Sequence, residues 1–416
     1  MESLYDKLKS LGVDLGPQNL VSLPKANGKS IDKVVQGEIH SNHFGNYFIT
    51  ENWYPSEHQH GSITLNFNTP IEKILQWGIQ HRHAKHTLLS PENFVILDTE
   101  TSGLEGGTGT YAFMVGVGRL TEKGFKLTQF FMRDPGEETA MLAGIIEYLD
   151  GCQGVVTYNG KSFDIPLLKS RFTINGLESP FHEYTHLDLL HLARKLWRNR
   201  LPSRTLGSLE ENILGAIRGQ EEVPGWLVPQ YYFDYLRSGD AGPIAGIFYH
   251  NAIDILSLTT LFKHMSILLE HPLTEDIPEG LDVIALAKLF EDLGDFDTAI
   301  ALYERGLNYG IPEYFYWETV KRFAQLQKRR LDWIEAISLW EKAAQNGHLD
   351  ACIELAKFYE HQAREPEKAL YWTINAQDIL KDKILPPFEL QTWKNEIDHR
   401  MDRLRKKMDI KTRTGS

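Results

Sequence analysis

Apolar and polar positions change rhythm twice along the chain. Before residue 90 they follow no sustained period: a helix near the start gives way to the polar stretch PKANGKS. Aromatic-rich pieces follow, FGNYFITENWYP and GSITLNF, that predict short strands. From residue 94 the pattern is regular. Phe94-Val95-Ile96-Leu97 is a short, apolar, β-prone run that predicts a buried central strand. AFMVGVGRL and FKLTQFFMR come next, and the Thr-Glu-Lys-Gly between them predicts a hairpin turn. A helix over residues 137–149, the strand GVVTYNG, a second helix and the segment HEYTHLDLL complete the series. Three antiparallel strands followed by helix–strand alternation predict a mixed α/β sheet with helices on its faces. Residues 221–245 read as an irregular or helical excursion, and IFYHNAIDILSLTTLFKHM as a long amphipathic helix.

The second change comes near residue 275, where helical periodicity takes over. LAKLFEDLGDFDTAIALYERGL, RFAQLQKRRLDWIEAISLWEKAA and LAKFYEHQAREPEKALYWTINA align on one another, with Ala299, Ala336 and Ala369 spaced by 37 and 33 residues. Small residues where paired helices approach, with aromatics at Tyr303, Trp340 and Trp372, resemble tetratricopeptide-type repeats. Such repeats bind a protein partner or brace a neighbouring domain. The chain is thus expected to comprise an N-terminal extension over 1–90 packed on the sheet, a sheet domain over 91–270, helical repeats over 275–400 and a basic tail over 401–416.

Composition narrows the class. At 416 residues, 42% hydrophobic and 24% charged, the chain has the make-up of an ordinary globular protein with two or three cores. Two cysteines, Cys152 and Cys352, supply neither a disulfide framework nor a cysteine-based zinc site. The N-terminus lacks the pattern of a secretory leader, and no apolar run approaches the length of a membrane span, so a cytoplasmic, membrane-free location is expected. A net charge of −12 opposes non-specific adhesion to polyanions. Basic charge is nevertheless concentrated locally, in Arg194, Lys195, Arg198, Arg200 and Arg204 and again from Arg400 to Arg413, as contact with a nucleic-acid backbone requires.

The candidate chemistry lies in carboxylates. Asp98 and Glu100 follow the apolar run and, being i and i+2 on a strand, project from one face. Side by side they raise one another's pKa unless a cation lies between them, and a hard divalent ion meets that need. The nearby Gly103–Gly109 stretch has no Lys-Ser/Thr at the spacing of a phosphate-binding loop. Asp164, after the Tyr158-Asn159-Gly160 turn, is taken alone a helix N-cap ahead of Pro166. His250 and Asp254 are i and i+4 on one helix face. The histidine pairs His58/His60 and His81/His83 lack further ligands at metal spacing and are not read as a zinc site.

Asp98-Thr99-Glu100, Asn159 with Phe163-Asp164, and Asp254 resemble, in order and context, the DEDD exonucleases of the ribonuclease-H-like fold. More closely, residues 94–265 look like the bacterial ribonuclease-H-like family labelled YprB, through HLDLLHLARKLW, LGSLEENILG, VPG and YHNAIDILSL. The resemblance implies a metal-dependent 3′-5′ exonuclease of DNA or RNA, with two Mg²⁺ or Mn²⁺ ions on Asp98, Glu100, Asp164 and Asp254. In the DEDD exonucleases the last motif has a Tyr four residues before the Asp or a His five before it. Here His250 is four before Asp254 and Tyr249 five before it. Helical geometry favours His250 as general base and leaves Tyr249 to packing. The same resemblance assigns Tyr158 and Asn159 to the terminal nucleotide and Lys161, Arg171 and Arg194 to phosphates. Asp188 is either a hydrogen-bond acceptor behind the site or an N-cap. Two other readings stay open: a catalytically idle nucleic-acid-binding scaffold for the repeats, and a structure-specific endonuclease.

Overall fold

A computed structural model describes residues 28–78, 89–103, 109–219 and 221–414, with side chains through Asp409. The expected first helix, His81, His83 and His86, and residues 104–108 of the glycine-rich stretch lie outside the described residues. The chain divides into two compact units, one of residues 1–194 with 203–270, the other of residues 195–202 with 271–416.

The first unit is built on a seven-stranded mixed sheet. Its strands are β1 (Glu38–Asn42), β2 (Gly45–Tyr54), β5 (Phe94–Thr101), β6 (Ala112–Thr121), β7 (Gly124–Phe131), β8 (Gly154–Thr157) and β9 (Thr185–Asp188); β3 (Gln59–His60) and β4 (Ile63–Thr64) form a separate ladder. The order is β1-β2-β7-β6-β5-β8-β9. From β1 to β5 neighbours pair antiparallel, whereas β8 and β9 run parallel to β5. The expected hairpin is β6–β7, closed by Thr121↔Gly124.

Phe94, Val95, Ile96 and Leu97 are all fully buried, as a central strand covered on both faces must be. Their alternation feeds two layers. Val95 and Leu97 join a core with Met141 of α2 (Glu138–Tyr148), Leu168 and Phe172 of α3 (Asp164–Ile174), and Tyr232 of α5 (Val228–Ser238). Phe94, on the other face, packs with its ring centroid 6.1 Å from that of Phe262 on α6 (Ile244–Glu270). In chain order α1 (Glu72–Gly78) precedes β5, and α4 (Leu189–Trp197) falls between α3 and α5.

Helix α6 corrects two expectations. It is long and apolar enough, by length and composition, to cross a bilayer. It is also apolar around most of its circumference rather than amphipathic. Both follow from its place in the core, where Ile255, Leu258, Leu261, Phe262 and Met265 are each fully buried.

The second unit is all-α: α7 (Gly280–Leu293), α8 (Phe296–Leu307), α9 (Glu313–Arg329), α10 (Trp333–Gln345), α11 (Leu349–His361), α12 (Pro366–Lys381) and α13 (Pro387–Thr414). Consecutive helices pack on one another, as in a helical-repeat domain. Ala299, Ala336 and Ala369 are fully buried where they do so. The basic segment beyond residue 400 is not a free tail, because α13 runs through it. The buried Glu360 of α11 accepts from Arg400 at 3.0 Å, Arg403 at 2.7 Å and Lys407 at 2.8 Å.

Candidate active site

The candidate residues gather at the C-terminal ends of the three parallel strands, where open α/β sheets present their ligand-binding crevices. Asp98 and Glu100 close β5 on the face that packs against α6, the same parity as Phe94 and Ile96. The pairing with β6 slips between Glu100 and Thr101, a bulge that ends the ladder beside the acids. Thr99 points to the opposite face, and there its Oγ1 donates to Asp164 Oδ1 at 2.5 Å. Asp164 is the first residue of α3, with Phe163 at the cap position, so its carboxylate serves β5 rather than capping its own helix. The strand end is therefore approached by acids from both layers.

Two adjacent turns of α6 supply Asn251, His250 and Asp254. Asn251 is fully buried and donates to Asp98 Oδ2 at 2.9 Å. Its Oδ1 accepts from Gln129 Nε2 at 2.9 Å, and Gln129 in turn accepts from Thr50 at 3.1 Å. Thr50, Gln129, Gly116 and Asp98 are cross-strand neighbours in one row over β2, β7, β6 and β5. His250 Nε2 stands 3.5 Å from Asp254 and 3.9 Å from Glu100, and its Nδ1 lies 2.6 Å from Glu222 Oε1. Arg218 closes the network. It donates through Nε and Nη2 to Glu210 at 2.6 and 2.7 Å, through Nη1 to Glu222 at 2.7 Å, and through Nη2 to Asp254. Glu210 is 2% exposed and opens a π-turn, Glu210–Leu214, a distortion common at functional sites.

The electrostatics follow from burial and from like charge. Burial, then Asp254, Glu100 and Asp164, holds the Asp98 carboxyl well above its ordinary range, against the Asn251 hydrogen bond. Glu100 is pushed up to about 7 by burial against the opposing pull of His250. Asp164 is pushed up to about 6 by burial, with Thr99 holding it down, and burial raises Asp254 against His250 and Arg218. Burial lowers His250, but Asp254, Glu100 and Glu222 outweigh it and the imidazole ends up raised.

Of the residues expected to hold substrate, four line this end of the sheet and one does not. Asn159 is in the left-handed region at φ 64°, which asparagine tolerates, and shapes the turn after β8. That turn is clasped by the buried Asp188, which accepts from the amides of Asn159 at 2.8 Å and Lys161 at 3.0 Å. Asp188 also accepts from Leu190 at 3.1 Å at the start of α4, so both expected roles are filled by one carboxylate. The Tyr158 hydroxyl donates to the Arg204 carbonyl. Lys161 and Arg194 are exposed. Arg171 is the correction: it is 5% exposed, bonded to Glu138 at 2.6 and 2.5 Å and stacked 4.4 Å over Tyr111, so it ties α3 to α2 and does not face substrate. Tyr249 does more than pack, since its hydroxyl accepts from the Gly219 amide at 2.7 Å beside Arg218.

Sequence reasoning missed Arg218, Glu222, Asn251 and Gln129. The only local cue was a lone arginine in an acid-rich stretch, GAIRGQEE. Asp98, Glu100, Asp164 and Asp254 offer oxygen donors of the kind a hard divalent ion takes, while Glu210 and Glu222 are engaged by Arg218. Burial is the first cause that raises these carboxyls and like charge the next, and a bound cation would offset both. Among the described residues no three ligating side chains stand as a closed cage, and Asp254 is instead paired with Arg218.

Fold and site together define a protein of the ribonuclease H superfamily, whose model matches residues 95–266. The chain is also 35% identical over 333 residues to the uncharacterized protein YprB of Bacillus subtilis (strain 168), spanning 77% of this chain and 78% of that one. It belongs to the YprB family of ribonuclease-H-like proteins. The superfamily is of nuclease type, takes nucleic acid as its substrate class and typically works with divalent metal ions.

Proposed function

We propose that this protein is a metal-dependent nuclease that removes nucleotides from the 3′ ends of DNA or RNA. One observation carries the reading: carboxylates from β5, α3 and α6 converge in a buried site, where burial and then Asp254, Glu100 and Asp164 raise Asp98, beside an imidazole whose Nε2 lies 3.5 Å from Asp254. Asp98, Glu100, Asp164 and Asp254 are the residues that would hold Mg²⁺ or Mn²⁺. A bound pair of such ions supplies Lewis-acid stabilisation of the charge that develops at the phosphate. His250 is the general base. Glu222 holds its Nδ1 and so leaves Nε2 as the proton acceptor, the orientation a base needs. Asp254 and Glu100, two of the three carboxylates that raise this imidazole, are proposed metal ligands, so compensation of their charge would lower it toward its ordinary range. Lys161 and Arg194 are the exposed phosphate contacts. The helical unit, read as tetratricopeptide-like, presents a protein partner or positions substrate.

An idle, nucleic-acid-binding scaffold draws support from the Arg218–Asp254 pair, which leaves one proposed ligand already neutralised. The two readings separate on 5′-labelled single-stranded DNA and RNA incubated with Mn²⁺ or Mg²⁺. A ladder shortening from the 3′ end, abolished by Asp98→Ala and strongly slowed by His250→Ala, establishes the exonuclease. Internal cuts point to an endonuclease instead, and binding without cleavage to the scaffold.

A further inference from the structure

Arg218 holds three acids at once, and they are not equivalent. Glu210 is almost completely buried and grips the guanidinium through two donors, at 2.6 and 2.7 Å. The backbone on either side is fixed as well. The Ala216 amide donates to the Glu210 carbonyl at 2.8 Å, and the Gly219 amide donates to Tyr249. Asp254, by contrast, is reached by Nη2 alone. Among the described residues Glu222 Oε2 is buried and without a hydrogen-bond partner, on the carboxylate whose other oxygen already binds Nη1.

We propose that Arg218 is a resident cation of the carboxylate site. It neutralises Asp254 while no metal is bound, and withdraws from it toward Glu222 when a divalent ion binds, anchored throughout by Glu210. This rests on the reading of Asp254 as a metal ligand, and it follows from two physical constraints. A guanidinium and a divalent ion on one carboxylate repel each other at contact distance, so they compete. A half-buried arginine that let go without another acceptor would leave desolvated donors unmet, and the open Glu222 oxygen removes that penalty. The arrangement keeps Asp254 compensated in the metal-free protein and makes metal uptake an exchange of cations.

The test is Mn²⁺ titration calorimetry on the full chain, comparing wild type with Arg218→Gln and Arg218→Lys, with melting in EDTA as the check of folding. Arg218→Gln is expected to bind Mn²⁺ roughly tenfold more tightly while melting lower in EDTA, since the competing cation is gone and its acids are left unpaired. Arg218→Lys, which keeps the charge but not the fork, should fall between. Binding by Arg218→Gln but not by wild type supports the proposal in its strongest form. Unchanged or weaker Mn²⁺ binding in both variants overturns it, and leaves the nuclease reading untouched if the wild type binds and cleaves. Tighter binding by the variants with no cleavage by any protein does the reverse. If neither wild type nor variant binds Mn²⁺, both readings fall. Should Arg218→Gln not fold, Arg218→Lys decides by the same criteria.

Discussion

Asn251 occupies the space that Gly116 leaves open: a Cβ at 116 would stand 2.2 Å from Asn251 Oδ1. Gly116 is also the cross-strand partner of Asp98, so the missing side chain is what lets α6 reach β5 with a buried amide. Gly116→Ala should destabilise by about 1–3 kcal/mol through overpacking. In an Asn251→Ala background the same change should cost markedly less, because the clash is gone. Equal costs in the two backgrounds, read from urea denaturation, would show that the amide is not what the glycine accommodates.

The metal-free protein should lose stability as pH rises from about 4.5 to about 7. Glu100 is raised from 4.5 to about 7, so between those values the folded state holds a proton that the unfolded chain has released. Its contribution is complete below the lower value and lost on passing the upper one, on the order of 3 kcal/mol. Asp98, Asp164 and His250 are also raised and add in the same direction. Melting in EDTA across this window should show the loss, and Glu100→Gln should flatten it. A wild-type curve parallel to that of the variant would sink the idea.

Divalent ions should reverse that loss. At a hundredfold excess over Kd, Mn²⁺ or Mg²⁺ should add about 2.7 kcal/mol of stability at neutral pH. Asp98→Asn should respond far less. A shift of equal size in that variant would place the ions elsewhere.

Arg171→Ala should cost about 3–5 kcal/mol, because it leaves Glu138 charged and buried. Replacing both residues by apolar ones should recover most of that loss. Affinity for single-stranded nucleic acid, measured on the folded fraction, should not change, whereas Lys161→Ala and Arg194→Ala should weaken it and lower its salt dependence.

How much of this was legible in the chain depended on the range of the interaction. The shared face of Asp98 and Glu100, the β6–β7 hairpin and the i,i+4 pair of His250 and Asp254 are set by local geometry, and they stand as the periodicity implied. Arg171 was misread because its partner, Glu138, lies 33 residues earlier on another helix. Gln129 gave no signal, since within a strand an inward glutamine looks like a misplaced polar residue until Asn251 arrives from 122 positions away. Basic residues after 400 looked like a solvated tail because the acid that gathers them, Glu360, sits on a different helix.

The sheet carries a practical consequence for where this domain begins. The superfamily match opens at residue 95, yet β2 is hydrogen-bonded along β7 from Phe48↔Phe131 to Tyr54↔Phe125. A fragment cut at the start of the match would strip β7, whose Phe125, Leu127 and Phe131 are fully buried, of its outer neighbour. That exposes an unpaired ladder of amides and carbonyls, the template on which chains aggregate edge to edge. The hairpin of β1 and β2 thus acts as a selvedge: it contributes no acid to the carboxylate site and finishes the cloth against unravelling.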